Sequence, residues 1–226
     1  MEYELHFGQA HLKVISDGSS KATAVGALVE NYGHLVDYIN SEPVFKSAYE
    51  PVDVPSDAPP IIAIMAEAGR AAGVGPMAAV AGTIANMVGQ ALVDDGAEDV
   101  SVENGGDIYI RASEKRTIGL FAGQLNLANR LAFEIEPEYT PVCICTSSSS
   151  VGHSVSLGDA DSVTVFSTSG ALADACATAC ANRILGPEDI EEAIDIFLDI
   201  DGVRGIFISA FGMVGARGEL PHIKKA

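Results

Sequence analysis

Val100-Ser-Val-Glu-Asn-Gly-Gly-Asp-Ile-Tyr-Ile110 is the stretch in which the apolar pattern of the chain changes period. Val100 and Val102 alternate with polar residues before Asn104-Gly-Gly-Asp107, and Ile108 and Ile110 alternate after it. Alternation interrupted by Asn-Gly signals two antiparallel strands joined by a tight turn. Just upstream the period is helical. A helix over 76–94 starts at Pro76 and ends before Gly96, with Met77, Val80, Ile84, Met87, Val88 and Leu92 as its apolar stripe. Ala78, Gly82, Ala85 and Gly89 form a second ridge, small enough to admit another backbone.

The flanking segments extend this switch into a fold. Residues 2–16 read as a hairpin turned near Gly8-Gln9, and 21–40 as a helix with Val25, Leu28, Tyr32, Leu35 and Ile39 at helical spacing. Five of the ten prolines fall in 43–60, an ordered loop before a helix over 60–72. Downstream, strands are predicted near 116–122, 130–136, 141–146 and 162–167, then helices over 169–185 and 188–198 separated by Gly186-Pro187. A strand near 204–210 closes the chain. Strands, helices, strands, helices, strand is an α+β layout rather than a βαβ alternation. It is read as a single domain over 1–226 with two similar halves and a break near 96–100.

Charge excludes several partners. The 226 residues carry 31 acidic and 13 basic side chains, a formal charge of −18. No run of Lys or Arg offers a phosphate-backbone patch, so neither nucleic acid nor an anionic membrane is expected as a partner. No apolar run is read as long enough to span a membrane, and the N-terminus lacks the pattern of a signal peptide. The expected location is cytoplasmic. Cys143, Cys145, Cys176 and Cys180 lack a Cys-x-x-Cys knuckle and are read as free thiols of a reducing compartment.

Three segments carry candidate chemistry. Asn104-Gly105-Gly106-Asp107 is a type I′ hairpin turn, or a turn whose exposed amides hold a ribose or phosphate, with Glu103 and Asp107 beside them. Thr146-Ser147-Ser148 opens a run of hydroxyls that leads to His153. It is a surface loop, or a set of contacts to phosphate and ribityl groups. On the Ala-rich helix after Ser169, Asp174 and Thr178 are four residues apart and share a face. Cys176 and Cys180 lie about 200° round from it. A carboxylate with a hydroxyl is oxygen-only ligation, suited to Mg²⁺ rather than Zn²⁺; otherwise Asp174 caps or pairs locally.

These segments, in this order, resemble the ApbE superfamily of FAD:protein FMN transferases. The likeness runs through Ala79-Val-Ala-Gly-Thr-Ile-Ala85, Glu103-Asn-Gly-Gly-Asp107, Thr146-Ser-Ser with His153, Ser162-Val-Thr-Val-Phe166 and Leu172-Ala-Asp-Ala-Cys-Ala-Thr178. A shorter prokaryotic ApbE-like family is similar over nearly the whole chain. The resemblance implies duplicated T-fold-like halves, with antiparallel strands and long packed helices. It also implies Mg²⁺ held by Asp174, Thr178 and the backbone carbonyl of Ala81, at the pyrophosphate of FAD. Asn104, Gly105, Gly106, Asp107, Thr146, Ser147 and Ser148 would line the flavin site, and His153 would assist catalysis. The implied partners are a flavin nucleotide and a Ser or Thr of an acceptor protein; a homo-oligomer is also expected.

Two departures stand out. The transferases carry Lys-Gly where this chain has Gly82-Thr83, and a carboxylate follows their His where Ser154-Val-Ser156 stands here. Three readings follow: an FMN transferase or FAD pyrophosphate-cleaving enzyme; a non-catalytic flavin or nucleotide binder, for instance in sulfur assimilation with Cys145 as the thiol; and a scaffold that oligomerises through its small-residue helix.

Overall fold

The computed structural model describes residues 1–18, 20–119, 131–148 and 158–225. The opening hairpin forms as read: β1 (Glu2–Phe7) pairs with β2 (Ala10–Ser16) around Gly8, which takes a positive φ. Helix α1 (Lys21–Ser41) follows, its first turn capped by the Ser20 side chain accepting from the Ala22 amide. The proline-rich stretch is not wholly loop. Pro43 starts a short helix, α2 (Pro43–Ser47), which drives Phe45 into the core. Helix α3 (Pro60–Ala72) ends at Gly73 in the left-handed conformation. A 3-10 turn (Pro76–Ala79) then feeds α4 (Val80–Asp94).

The period-two segment becomes β3 (Val100–Asn104) and β4 (Asp107–Arg111), paired in register through Asn104↔Asp107. Both central residues of the turn have positive φ, Gly105 at 65° and Gly106 at 112°, as the mirror-image hairpin turn demands. There follow β5 (Arg116–Gly119), β6 (Leu131–Ile135), β7 (Val142–Ser147), β8 (Ser162–Ser167), α5 (Gly170–Arg183), α6 (Asp189–Leu198) and β9 (Val203–Ala210). The chain does not close on β9. It reverses through Phe211-Gly212 into β10 (Met213–Gly218) and ends in β11 (His222–Lys225).

Among the described residues the strands form two sheets. The larger runs β1-β2-β3-β4-β7-β8-β9-β10, antiparallel throughout; the smaller is β11-β6-β5. Two units of strand pair, helices, strand pair thus lie side by side in one sheet: β1 to β4 with α1 to α4, and β7 to β10 with α5 and α6. The changeover falls between β4 and β7. A break near 96–100 would cut the first unit between α4 and β3, because the helices sit inside each unit rather than at its end.

The larger sheet is covered by helices on one face and by the small sheet over part of the other. The inner face, with Leu12, Val14, Val102, Tyr109, Cys143, Val165 and Ile208, packs under the helices. Over β4, β7, β8 and β9 the outer face packs Ile110, Ile144, Phe166 and Phe207 against Phe133 and Ile135 of the small sheet. Over β1 and β2 it carries exposed His11, Lys13 and Ile15.

The small-residue ridge of α4 is consumed within the chain. A Cβ on Gly82 would strike the Gly170 carbonyl, and one on Gly89 would strike the Tyr109 ring. That removes the basis for a scaffold assembling through this ridge. Pro76–Asp94 is, contrary to the sequence reading, long and apolar enough to cross a bilayer by composition; half of that window is buried against α1, α5 and β3.

Candidate functional site

The first unit supplies one side of the site from α4 and the β3–β4 turn. The second supplies the other from α5 and the end of β7. Gly82 and Gly170 bring α4 and α5 into backbone contact, which sets Asp174 against the first turn of α4. The Asp174 carboxylate accepts from the Gly82 amide at 2.9 Å and from the Ala81 amide as well. Such N-terminal amides are free of helical partners and favour an anionic group. The Ala81 carbonyl, in the first turn of α4, also accepts from Asn104 Nδ2 at 3.1 Å.

Asp107 reaches the same point from the sheet. Its Oδ1 accepts from the Thr146 amide at 3.1 Å, and its carboxyl is hydrogen-bonded to that of Asp174 and to the Cys145 thiol. Two carboxylates in hydrogen-bond contact need a proton or a cation between them. Without a cation, burial pushes Asp107 up to about 7. Burial first, and then the neighbouring Asp107 charge, raise Asp174 well above the usual carboxylate range.

The candidate residues take different parts in this arrangement. Asn104, Asp107, Ala81 and Asp174 meet. Thr178 lies one turn further along α5, on the same face and buried. Gly105 and Gly106 have no atom within 4 Å of where a side chain would begin, so the turn has open space beside it. Thr146 faces the other side of β7, where its Oγ1 is 2.9 Å from Thr164 Oγ1; it gives Asp107 its amide and not its hydroxyl. Ser147 faces inward, and its buried Oγ has no partner among the described residues. Ser148 is buried beside it. Glu103 points to the outer face, in register with Lys13 and away from Asp107. His153 lies outside the described residues.

Cys145 has a part that the sequence did not suggest. It is fully buried, 3.6 Å from the Gly170 carbonyl, and burial beside the two acids pushes its thiol well above the ordinary range. A thiol held protonated there is a packing and hydrogen-bonding group, not a nucleophile. Its lack of exposed surface speaks against the sulfur-handling role suggested for it. Spacing also could not show that Asp107 meets Asp174. The available signal was the pair of close-packing glycines, Gly82 and Gly170, four residues before Asn86 and Asp174 respectively.

The donors fit a hard divalent ion. Two carboxyls, a backbone carbonyl and a nearby threonine hydroxyl are oxygen donors, the kind Mg²⁺ takes.

Comparison with known proteins agrees with the fold. The family model described as "AbpE bacteria" matches residues 2–200. A UPF0280 protein of Methanocaldococcus jannaschii is 42% identical over 219 residues, covering 95% of this chain and 88% of that protein. One from Methanococcus maripaludis is 40% identical over 206 residues, covering 89% and 83%. Among solved structures, an ApbE protein of Thermotoga maritima superposes with a TM-score of 0.60 at 15% identity, covering 100% of this chain and 97% of that one. The apo flavinyl transferase ApbE of Pseudomonas stutzeri does so with a TM-score of 0.57 at 14% identity, covering 96% and 94%. At those identities the likeness is one of fold. The identity and coverage of the relatives reach further: the chain belongs to the UPF0280 family of ApbE-like proteins.

Proposed function

We propose that this protein binds a flavin nucleotide, FAD, together with Mg²⁺, and acts on its pyrophosphate as an FMN transferase or FAD pyrophosphate-cleaving enzyme. The observation that carries the reading is the buried hydrogen bond between the carboxyls of Asp107 and Asp174, beside the Ala81 carbonyl and below an open Gly105-Gly106 turn. Asp174, Thr178 and Ala81, joined by Asp107, would hold the metal. Mg²⁺ bound there supplies charge neutralisation for a pyrophosphate. The Gly105 and Gly106 amides and the Ser147 and Ser148 hydroxyls would bind and orient the nucleotide. Asn104 fixes the Ala81 carbonyl, and the Thr146 amide holds Asp107 in place. His153 is the candidate proton carrier. Further partners in this reading are an acceptor protein's Ser or Thr and a second copy of the chain, met through exposed Val25, Val29 and Val36 on α1.

A specific observation favours the non-catalytic alternative, a flavin or nucleotide binder. Gly82 stands where the transferases carry Lys, and no side chain fits there because Gly170 and Asp174 occupy the space. The two readings separate on incubation with FAD, Mg²⁺ and a Ser- or Thr-bearing acceptor protein, so that FMN can pass to its hydroxyl or to water. Release of AMP, lost in Asp174→Asn, supports the enzyme. Tight FAD binding without AMP supports the binder, and a chain that does neither loses both readings.

A further inference from the structure

Away from that site, the outer face of the opening hairpin gathers two histidines and a glutamate. Glu4 and His6 are two residues apart on β1, so they project from the same side. His11 on β2 lies directly across from His6 in the register. The two imidazoles stack, with ring centroids 3.9 Å apart and planes 27° apart. His6 Nε2 is 3.6 Å and His11 Nε2 is 3.4 Å from the same atom, Glu4 Oε2. The donor atoms of the three residues all lie within 4.8 Å of one another.

We propose that Glu4, His6 and His11 form a surface site for a borderline divalent transition-metal ion, with Zn²⁺ as the matching case. Three features argue for it. Two nitrogens and one carboxylate oxygen are the donor set of such ions and not of Mg²⁺ or Ca²⁺. A tetrahedral zinc with bonds of about 2.1 Å holds its ligand atoms about 3.4 Å apart, close to both distances to Glu4 Oε2. Ordinary N–H···O hydrogen bonds are about 2.7–3.2 Å; His11 makes a long one to Glu4 at 3.4 Å and His6, at 3.6 Å, makes none. Lys13, across from Glu4 in the register, goes instead to Glu2 at 3.1 Å, so Glu4 keeps its carboxylate toward the imidazoles.

Three protein ligands leave a coordination position open to water or another small ligand. The ion would also join β1, an outermost strand of the large sheet among the described residues, to β2 by side chains as well as by backbone. None of these residues belongs to the Asp107–Asp174 pair, which lies on the opposite face of the sheet.

The test uses the full chain freed of metal by a chelator. Zn²⁺ is titrated in competition with a chromogenic chelator, and Co²⁺ is added separately to read the visible absorption of tetrahedral cobalt. The expected result is one Zn²⁺ per chain bound ahead of the chelator, with tetrahedral Co²⁺ absorption. His6→Gln and His11→Gln should each weaken Zn²⁺ by about tenfold or more and abolish the Co²⁺ bands, and Glu4→Gln should weaken Zn²⁺ less. All three side chains are more than half exposed, so the variants keep the parent's circular dichroism. Asp174→Asn should leave the Zn²⁺ titration unchanged. Unaltered binding in both histidine variants, binding lost in Asp174→Asn instead, or no stoichiometric binding by the parent chain would each overturn the site.

Discussion

At the scale of single residues, the site is set by glycines and by two acids that share one place. Gly82 admits no side chain: a Cβ would fall against the Gly170 carbonyl and within 2.9 Å of both Asp174 Cβ and Cys145 Sγ. Gly82→Ala should therefore cost about 1–3 kcal/mol in urea unfolding and displace Asp174 from its amides; an unchanged midpoint would refute the close approach. The acids give a pH signature. Asp107 and Asp174 hold their protons in the folded, metal-free chain to higher pH than in the unfolded one. Between about pH 4 and pH 7 the folded state thus binds more protons, and its stability falls as pH rises. The melting temperature of the parent minus that of Asp107→Asn should decline across this window in the presence of EDTA. A flat difference would mean that the two acids do not share a proton.

At the scale of elements, legibility followed periodicity. The β1–β2 hairpin, α1, α3, α4 and the β3–β4 turn were readable because one face of each is buried and the other is not, which writes a period into the sequence. Strand β10 wrote none: Met213 and Val214 are both exposed, on an edge strand that buries little. Its turn was hidden as well, since Phe211 is a poor marker for the left-handed conformation it adopts, with φ 53°. That strain is removable. Phe211 is 42% exposed, so Phe211→Asn should lose little packing and raise stability by up to about 1 kcal/mol, read as a higher melting temperature; a lower one would show that the ring packs more than its exposure suggests. The site was half legible for a related reason. Asp174 and Thr178 are neighbours on one helix and can be paired by counting. Asp107 joins them only through the sheet register and the α4–α5 crossing, which no local spacing encodes.

At the scale of the whole molecule, charge sets the response to salt. Lys13, Arg70, Lys115, Arg116, Arg204, Arg217 and Lys224 are engaged in ion pairs. The remaining acidic excess, −18 overall, repels itself. Added KCl screens that repulsion over the ~10 Å Debye length of 0.1 M salt. The melting temperature should rise with KCl between low salt and about 1 M; a fall would mean that the ion pairs outweigh the repulsion.

The same large sheet that joins the two units also divides their contributions. Ala81, Asn104 and Asp107 come before the changeover, and Cys145, Asp174 and Thr178 come after it. Neither portion alone owns the full set of donors proposed for Mg²⁺. If the chain were cut in the β4–β7 connection and the pieces mixed, recovery of Mg²⁺ binding would report that the two had found each other. The protein would then act as its own complementation assay, in which a missing partner reads as a missing ion.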